Sequence, residues 1–226
     1  MVHPGRGAAG QTVAVTATAA LLLALTLAVA AGDWVAVALG NKALEYVCKP
    51  LTMVVLIAAT LALDPTNATA RGCFVVALVL SLAGDVFLML PDEKLFVFGL
   101  GSFLAGHIAY IVGLWVGGVS RAALLVGVLL VLVAVATLGV RIVRGVRNGE
   151  HPELTGPVVA YLVVISVMVA SAVGRTNAFA IVGAVLFYAS DAMIAWTRFI
   201  EDKPWGRLAI IVTYHLGQVG LVLSLA

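Results

Sequence analysis

Ser81-Leu-Ala-Gly-Asp-Val-Phe-Leu-Met-Leu90 is apolar on both sides of a single carboxylate. The hydrophobic run that holds it, residues 72 to 90, is long enough to cross a bilayer. An aspartate at mid-membrane costs roughly 2.5 to 3.5 kcal/mol even on a lenient insertion scale, so a chain that keeps one there uses it. The same context recurs in Phe187-Tyr-Ala-Ser-Asp-Ala-Met-Ile-Ala-Trp196, which places Asp191 inside a second such run.

Composition gives the class around these two segments. Of 226 residues 63% are hydrophobic and 11% charged, and the mean hydropathy is +1.15. The fold class is all-α and polytopic, with eight transmembrane helices over residues 13–31, 46–63, 72–90, 95–116, 121–140, 155–173, 178–198 and 207–225. The segment Asp33 to Glu45, short and charged, is assigned to the interface. Residues 1–12, with Pro4, Gly5, Gly7 and Gly10, read as a disordered tail before a single transmembrane domain, 13–226. The first apolar run lacks a small-residue cleavage site followed by a soluble domain, which argues against a signal peptide. A net charge of +2 gives no nucleic-acid surface.

Lys and Arg set the orientation. Loops on one side hold Arg6, Arg71, Arg121 and Arg175. The other side holds Lys42, Lys49, Lys94, Arg141, Arg144, Arg147, Arg198, Lys203 and Arg207, so the positive-inside rule puts that side in the cytoplasm of a bacterial inner membrane. Cys48 and Cys73 begin antiparallel neighbouring spans about 30 Å long, out of disulfide reach, and are packing residues.

A weak internal repeat orders the polar landmarks. Pro50 precedes Asp85 by 35 residues and Pro157 precedes Asp191 by 34, and each aspartate leads to a Gly-polar pair, Gly106-His107 and Gly217-Gln218. Two parallel four-helix halves, 13–116 and 121–225, would bring the aspartates to one depth. Counting at about 1.5 Å per residue puts Asp85, Asp191, Lys49 and Tyr214 toward the cytoplasmic ends of their spans, with His107 and Gln218 reaching inward. Tyr188, Asp191 and Arg198 share a helix face, as do His107 and Tyr110, and Tyr214 and Gln218. His215, next to Tyr214, points off that face. The plainer alternatives are an ion pair of Asp191 with Arg198 and a helix-packing hydrogen bond at His107.

Two carboxyls close together in low dielectric do not both ionise readily, so the pair offers an acid and a base. No Gly-x-Ser-x-Gly elbow is present, and two histidines in spans fall short of a zinc hydrolase's ligand set. Neither a metal nor a cofactor is expected.

Lys49-Pro-Leu-Thr-Met53, Gly84-Asp-Val-Phe-Leu88, Gly99-Leu-Gly-Ser-Phe-Leu-Ala-Gly-His-Ile-Ala-Tyr110, Tyr188-Ala-Ser-Asp191 with Arg198-Phe199, and Tyr214-His-Leu-Gly-Gln218 resemble the signature blocks of the YhhN-like lysoplasmalogenase family. The blocks follow the family's order over roughly residues 45 to 220. The resemblance implies an eight-helix membrane enzyme that hydrolyses the vinyl ether of lysoplasmalogens, lysoplasmenylethanolamine or lysoplasmenylcholine, to a fatty aldehyde and a glycerophospho-base. Asp85, Asp191 and His107 are then the catalytic candidates. Lys49 and Arg198 would hold the phosphate, Tyr214 and Gln218 a water or the sn-2 hydroxyl, and Tyr110 and Tyr188 complete the substrate site. The expected partners are the lysophospholipid and membrane lipids. Two other readings fit paired intramembrane acids: hydrolysis of another lysolipid or an epoxide, and a proton-coupled transporter. Small residues such as Gly113, Gly117 and Gly118 suit packing within one chain or between copies.

Overall fold

The computed structural model describes residues 15–92 and 94–226; the expected tail at 1–12 lies outside them. Eight helices are long and apolar enough to cross a membrane, as expected for an integral multi-pass protein: α1 (Ala17–Ala38), α2 (Lys42–Ala62), α3 (Ala68–Met89), α4 (Leu95–Val116), α5 (Arg121–Asn148), α6 (Thr155–Gly174), α7 (Ala178–Phe199) and α8 (Gly206–Leu223).

Side-chain caps set most of the starts on one side of the bundle. Thr16, Asn67, Ser120 and Asn177 each accept a hydrogen bond from a backbone N–H of the helix that follows, as Asn41 does at the other side. Each cap supplies about 1 kcal/mol. Sequential neighbours pack as hairpins, α1 on α2, α3 on α4, α5 on α6 and α7 on α8, and α4 against α6 and α1 against α8 join the two halves. Large apolar side chains such as Leu125 and Leu129, both 65% exposed, face outward where lipid would solvate them.

Glycines bring the functional helices close. Gly84, one residue before Asp85, lies under the Phe103 ring, where an added Cβ would stand 2.6 Å from ring carbons. Gly183 and Gly217 let α7 and α8 meet backbone to backbone, since a Cβ on Gly183 would stand 2.5 Å from the Leu221 amide nitrogen. Both carboxylates therefore ride on tightly held hairpins.

Two expectations are corrected. Asp33 is not at an interface: α1 runs on to Ala38 and buries Asp33 completely. The fifth helix does not end near 140. It passes through a π-helical turn, Val135–Gly139, and continues to Asn148, because Ile142 and Val146 give the basic segment a buried stripe against Val158, Leu154 and Phe199. Pro50 stands two turns inside α2, which Asn41 caps. Its missing N–H leaves the Tyr46 carbonyl without its helical donor, next to Lys49.

Candidate active site

Asp85 is buried on α3 between two charged or polar donors. The Lys49 ammonium of α2 lies 3.1 Å from Oδ1, and the Tyr214 hydroxyl of α8 donates to Oδ2 at 2.6 Å. Three helices thus meet at one carboxylate, and Met53 Sδ stands 3.4 Å from the same Tyr214 oxygen.

Asp191 has a different environment. Tyr161 of α6 donates to its Oδ2 at 2.6 Å, and His107 Nε2 lies 3.5 Å from the same oxygen. No cation reaches it among the described residues. Its carboxyl opens into an apolar cleft of about 50 Å³ lined by Leu88, Phe96, Phe103, Val158, Tyr161 and Ile194, with a second small cavity of about 40 Å³ at its back, beside Tyr188.

An aromatic wall separates the two acids. Phe187 meets His107 edge-on at 4.7 Å between ring centroids and Tyr214 at 5.4 Å, while Phe103 meets Tyr214 at 5.8 Å. Each such pair adds about 0.5 to 1.5 kcal/mol and fixes ring orientation. The carboxyls keep separate partners, although they act on each other electrostatically.

Toward the charged ends of the helices lies a wider mouth of about 390 Å³, lined by Lys42, Glu45, Lys49, Arg198 and Arg207 with Leu88, Phe96 and Ile194. The last three also line the apolar cleft, so mouth and cleft are neighbours on two sides of the same side chains. Glu45 is held by Lys42 at 3.0 Å and Arg207 at 2.9 Å, and Lys49, paired with Asp85, and Arg198 are the other two cations facing the mouth. Arg198 does not pair with Asp191. Its guanidinium lies 3.9 Å from the Phe96 ring centroid, on the cleft's threshold.

Of the residues expected from the sequence, Asp191 lines the cleft and Lys49 and Arg198 line the mouth, while His107 stands against Asp191, and Asp85 stands against Lys49 and Tyr214. Tyr188 sits behind Asp191. Tyr110 and Gln218 are buried deeper and hydrogen-bond each other, hydroxyl to Oε1. His215 accepts from the Trp34 indole at 3.2 Å, on the α1 side. Sequence reasoning missed Tyr161. Its sequence signal was faint: it lies four residues after Pro157, as Pro50 is followed at three by Met53, which contacts Tyr214. It also missed the mouth residues Glu45 and Arg207, which flank span boundaries.

The protein-family model described as the YhhN family matches residues 44–225. Similar proteins include a lysoplasmalogenase of Mycobacterium bovis, 38% identical over 173 residues covering 74% of this chain and 65% of the relative. Lysoplasmalogenase TMEM86B of Sus scrofa is 29% identical over 180 residues, 79% of this chain and 73% of the relative. The Homo sapiens protein of the same name is 32% identical over 148 residues, 66% and 61%. The chain thus covers less than two thirds of the human and mycobacterial proteins. No solved structure matches it. With its signature blocks gathered around one buried site and four fifths of its length inside the family match, the chain belongs to the YhhN family.

Proposed function

We propose that this chain is a lysoplasmalogenase-type hydrolase that cleaves the vinyl ether bond of a lysophospholipid, as the names of its relatives indicate for them. The observation that carries the reading is the adjacency of a cationic mouth and an apolar cleft lined by Asp191, which share Leu88, Phe96 and Ile194. A lysophospholipid has the same polarity sequence: phosphate, glycerol, vinyl ether, hydrocarbon. With the phosphate at Lys49 and Arg198, the vinyl ether falls at Asp191 and the hydrocarbon in the cleft.

The chemistry follows from the partners of each acid. Asp191 meets only neutral groups in an apolar cleft and serves as the acid, giving its proton to the vinyl β-carbon as the double bond shifts to form an oxocarbenium ion. Water adds to the other carbon of the former double bond, the α-carbon that carries the ether oxygen, giving a hemiacetal. The water's proton goes to a carboxylate, either the Asp191 just emptied or Asp85 beside Lys49. The hemiacetal then loses the glycerol oxygen as an alcohol, leaving the aldehyde. One water is consumed and no electron is exchanged. His107, 3.5 Å from Asp191, orients the acid or the water. Each participating group contributes about 100- to 10,000-fold.

The side of the membrane belongs to the same proposal. The mouth lies at the helix ends that carry most of the Lys and Arg, which supports an opening to the cytoplasmic leaflet. The test is release of aldehyde from lysoplasmenylethanolamine and lysoplasmenylcholine by purified protein in detergent, with Asp191→Asn and Asp85→Asn in parallel. Aldehyde from the wild type and a large loss in both variants is expected. Full activity in either folded variant would end the two-acid mechanism, and a folded wild type without activity would return the choice to another lysolipid or transport.

A further inference from the structure

The end of α5 carries a motif that the mechanism above does not use, Val140-Arg-Ile-Val-Arg-Gly-Val-Arg147. Ile142 and Val146 turn one stripe of it into the protein. Val140, Val143, Arg144 and Arg147, at i, i+3, i+4 and i+7, share another stripe, and all four line a groove of about 570 Å³ between α5 and α6. Sites for small ligands run from about 300 to 1,000 Å³. Two close approaches shape the groove: a Cβ on Gly127 would stand 2.8 Å from the Ala170 carbonyl oxygen, and one on Gly139 would stand 2.7 Å from the Leu162 side chain. The π-helical turn of α5, Val135–Gly139, has both its end residues in the same wall. Apart from Ser166 and the two arginines, every lining residue is apolar. On α6 the lining runs from Val159 to Ala170, a rise of about 16 Å at about 1.5 Å per residue. That is close to half the roughly 30 Å hydrocarbon core of a bilayer, the depth of one leaflet's acyl chains. Val159, Val163 and Val167 recur every four residues and are exposed, so the groove opens sideways, toward lipid. Arg144 and Arg147 close one end of it. Both are exposed, and neither has an ion-pair partner among the described residues; Glu153, in the loop that follows, is held by His151 at 3.1 Å. Arg141, one turn before Arg144, does not line the groove.

We propose that this groove binds one anionic phospholipid of the surrounding bilayer, with an acyl chain along the valines of α6 and the phosphate between Arg144 and Arg147. Charge complementarity selects the occupant. Two unpaired guanidiniums present planar forks that match phosphate oxygens, and clustered arginines beside a membrane draw anionic headgroups. A charge that only orients the chain in the membrane acts from anywhere in its loop, whereas these two terminate an apolar groove as long as one leaflet is deep. The lipid is not the substrate of the proposed hydrolysis: no residue lines both this groove and the mouth or cleft of the candidate active site.

Native mass spectrometry and thermal unfolding of the full-length protein in detergent test it without any substrate. The probes are phosphatidylglycerol, phosphatidylcholine of the same acyl chains, and inorganic phosphate. The variants are Arg144→Gln, Arg147→Gln, Arg141→Gln, which removes the same charge outside the groove, and Val163→Phe. Val163 is 56% exposed, so the larger ring fills the groove without entering the core. One phosphatidylglycerol retained per chain is expected, with a melting temperature about 5 °C higher at saturating lipid. Phosphatidylcholine and inorganic phosphate are expected to do little. Arg144→Gln and Arg147→Gln are each expected to weaken phosphatidylglycerol binding about fivefold, Val163→Phe to weaken it with every charge in place, and Arg141→Gln to bind as wild type. Equal stabilisation by phosphatidylcholine would overturn the anionic occupant. Equal losses in Arg141→Gln and Arg144→Gln would overturn the site and leave the arginines as determinants of orientation alone. A dimer that Val163→Phe abolishes would overturn the lipid in favour of a second copy of the chain.

Discussion

Tyr161 of α6 donates its hydroxyl to Oδ2 of Asp191 on α7 at 2.6 Å, leaving the other carboxyl oxygen free toward the apolar cleft. Tyr214 holds Asp85 in the same way at 2.6 Å. A phenol donor selects which oxygen is occupied and therefore which one carries a transferable proton. Tyr161→Phe removes that orientation but keeps the ring against His107. Its kcat is expected to fall about 10- to 100-fold, with a stability loss of about 1 to 3 kcal/mol. Aldehyde-release kinetics beside thermal unfolding check this, and an unchanged kcat would mean that the tyrosine only packs.

The Lys49–Asp85 pair is nearly sealed from solvent, with side chains 15% and 1% exposed. Removing one partner of a buried pair leaves the other charge unpaired, at a cost of about 3 to 5 kcal/mol. Lys49→Met is therefore expected to unfold at clearly lower temperature, and Asp85→Asn in the same chain to restore part of the difference. Thermal unfolding of the four forms in one detergent measures the coupling. A Lys49→Met protein as stable as wild type would show that the ion pair is dispensable.

Arg198 sets its guanidinium carbon 3.9 Å from the centroid of the Phe96 ring, which lines both mouth and cleft. A planar guanidinium both stacks on a ring and forks onto a phosphate, whereas an ammonium does neither as well. Arg198→Lys is expected to raise KM about 3- to 30-fold, about 0.6 to 2 kcal/mol, with kcat largely kept, since the residue binds the part of the substrate that does not react. A fall in kcat at constant KM would place Arg198 with the acids instead.

Eight helices, both aspartates and the charged face were legible from composition and from carboxylates inside apolar runs, because hydrophobic length and buried charge leave local marks. What escaped was decided between helices. Asp33 looked interfacial because charge and a short apolar run precede Glu45; only the contact of α1 with α2 and α8 shows it buried. Tyr161 is one aromatic among many until α6 sets its hydroxyl on Asp191. The shared face of Tyr188, Asp191 and Arg198 follows from helical spacing, yet their surroundings separate them: Tyr188 lies behind the acid and Arg198 at the threshold. The extension of α5 past residue 140 follows from Ile142 and Val146, whose burial depends on α6 and α7.

The closeness of α7 and α8 makes a last prediction about how firmly Asp191 is placed. A Cβ on Gly183 would stand 2.5 Å from the Leu221 nitrogen and 2.8 Å from the Gly217 carbonyl oxygen, both backbone atoms that cannot rotate away. Gly101 on α4, by contrast, has nothing within 4 Å of the same position. Gly183→Ala must push the helices apart and is expected to destabilise by about 1 to 3 kcal/mol, whereas Gly101→Ala is expected to be neutral or to stabilise by up to about 1 kcal/mol through helix propensity. Because α7 carries Asp191 and α8 carries the tyrosine that holds Asp85, the first substitution is also expected to lower kcat at temperatures where the protein remains folded. Melting temperatures and kcat of the two variants decide it. Equal effects of the two alanines would mean that the hairpin has slack, and that the spacing of the acids does not depend on this contact.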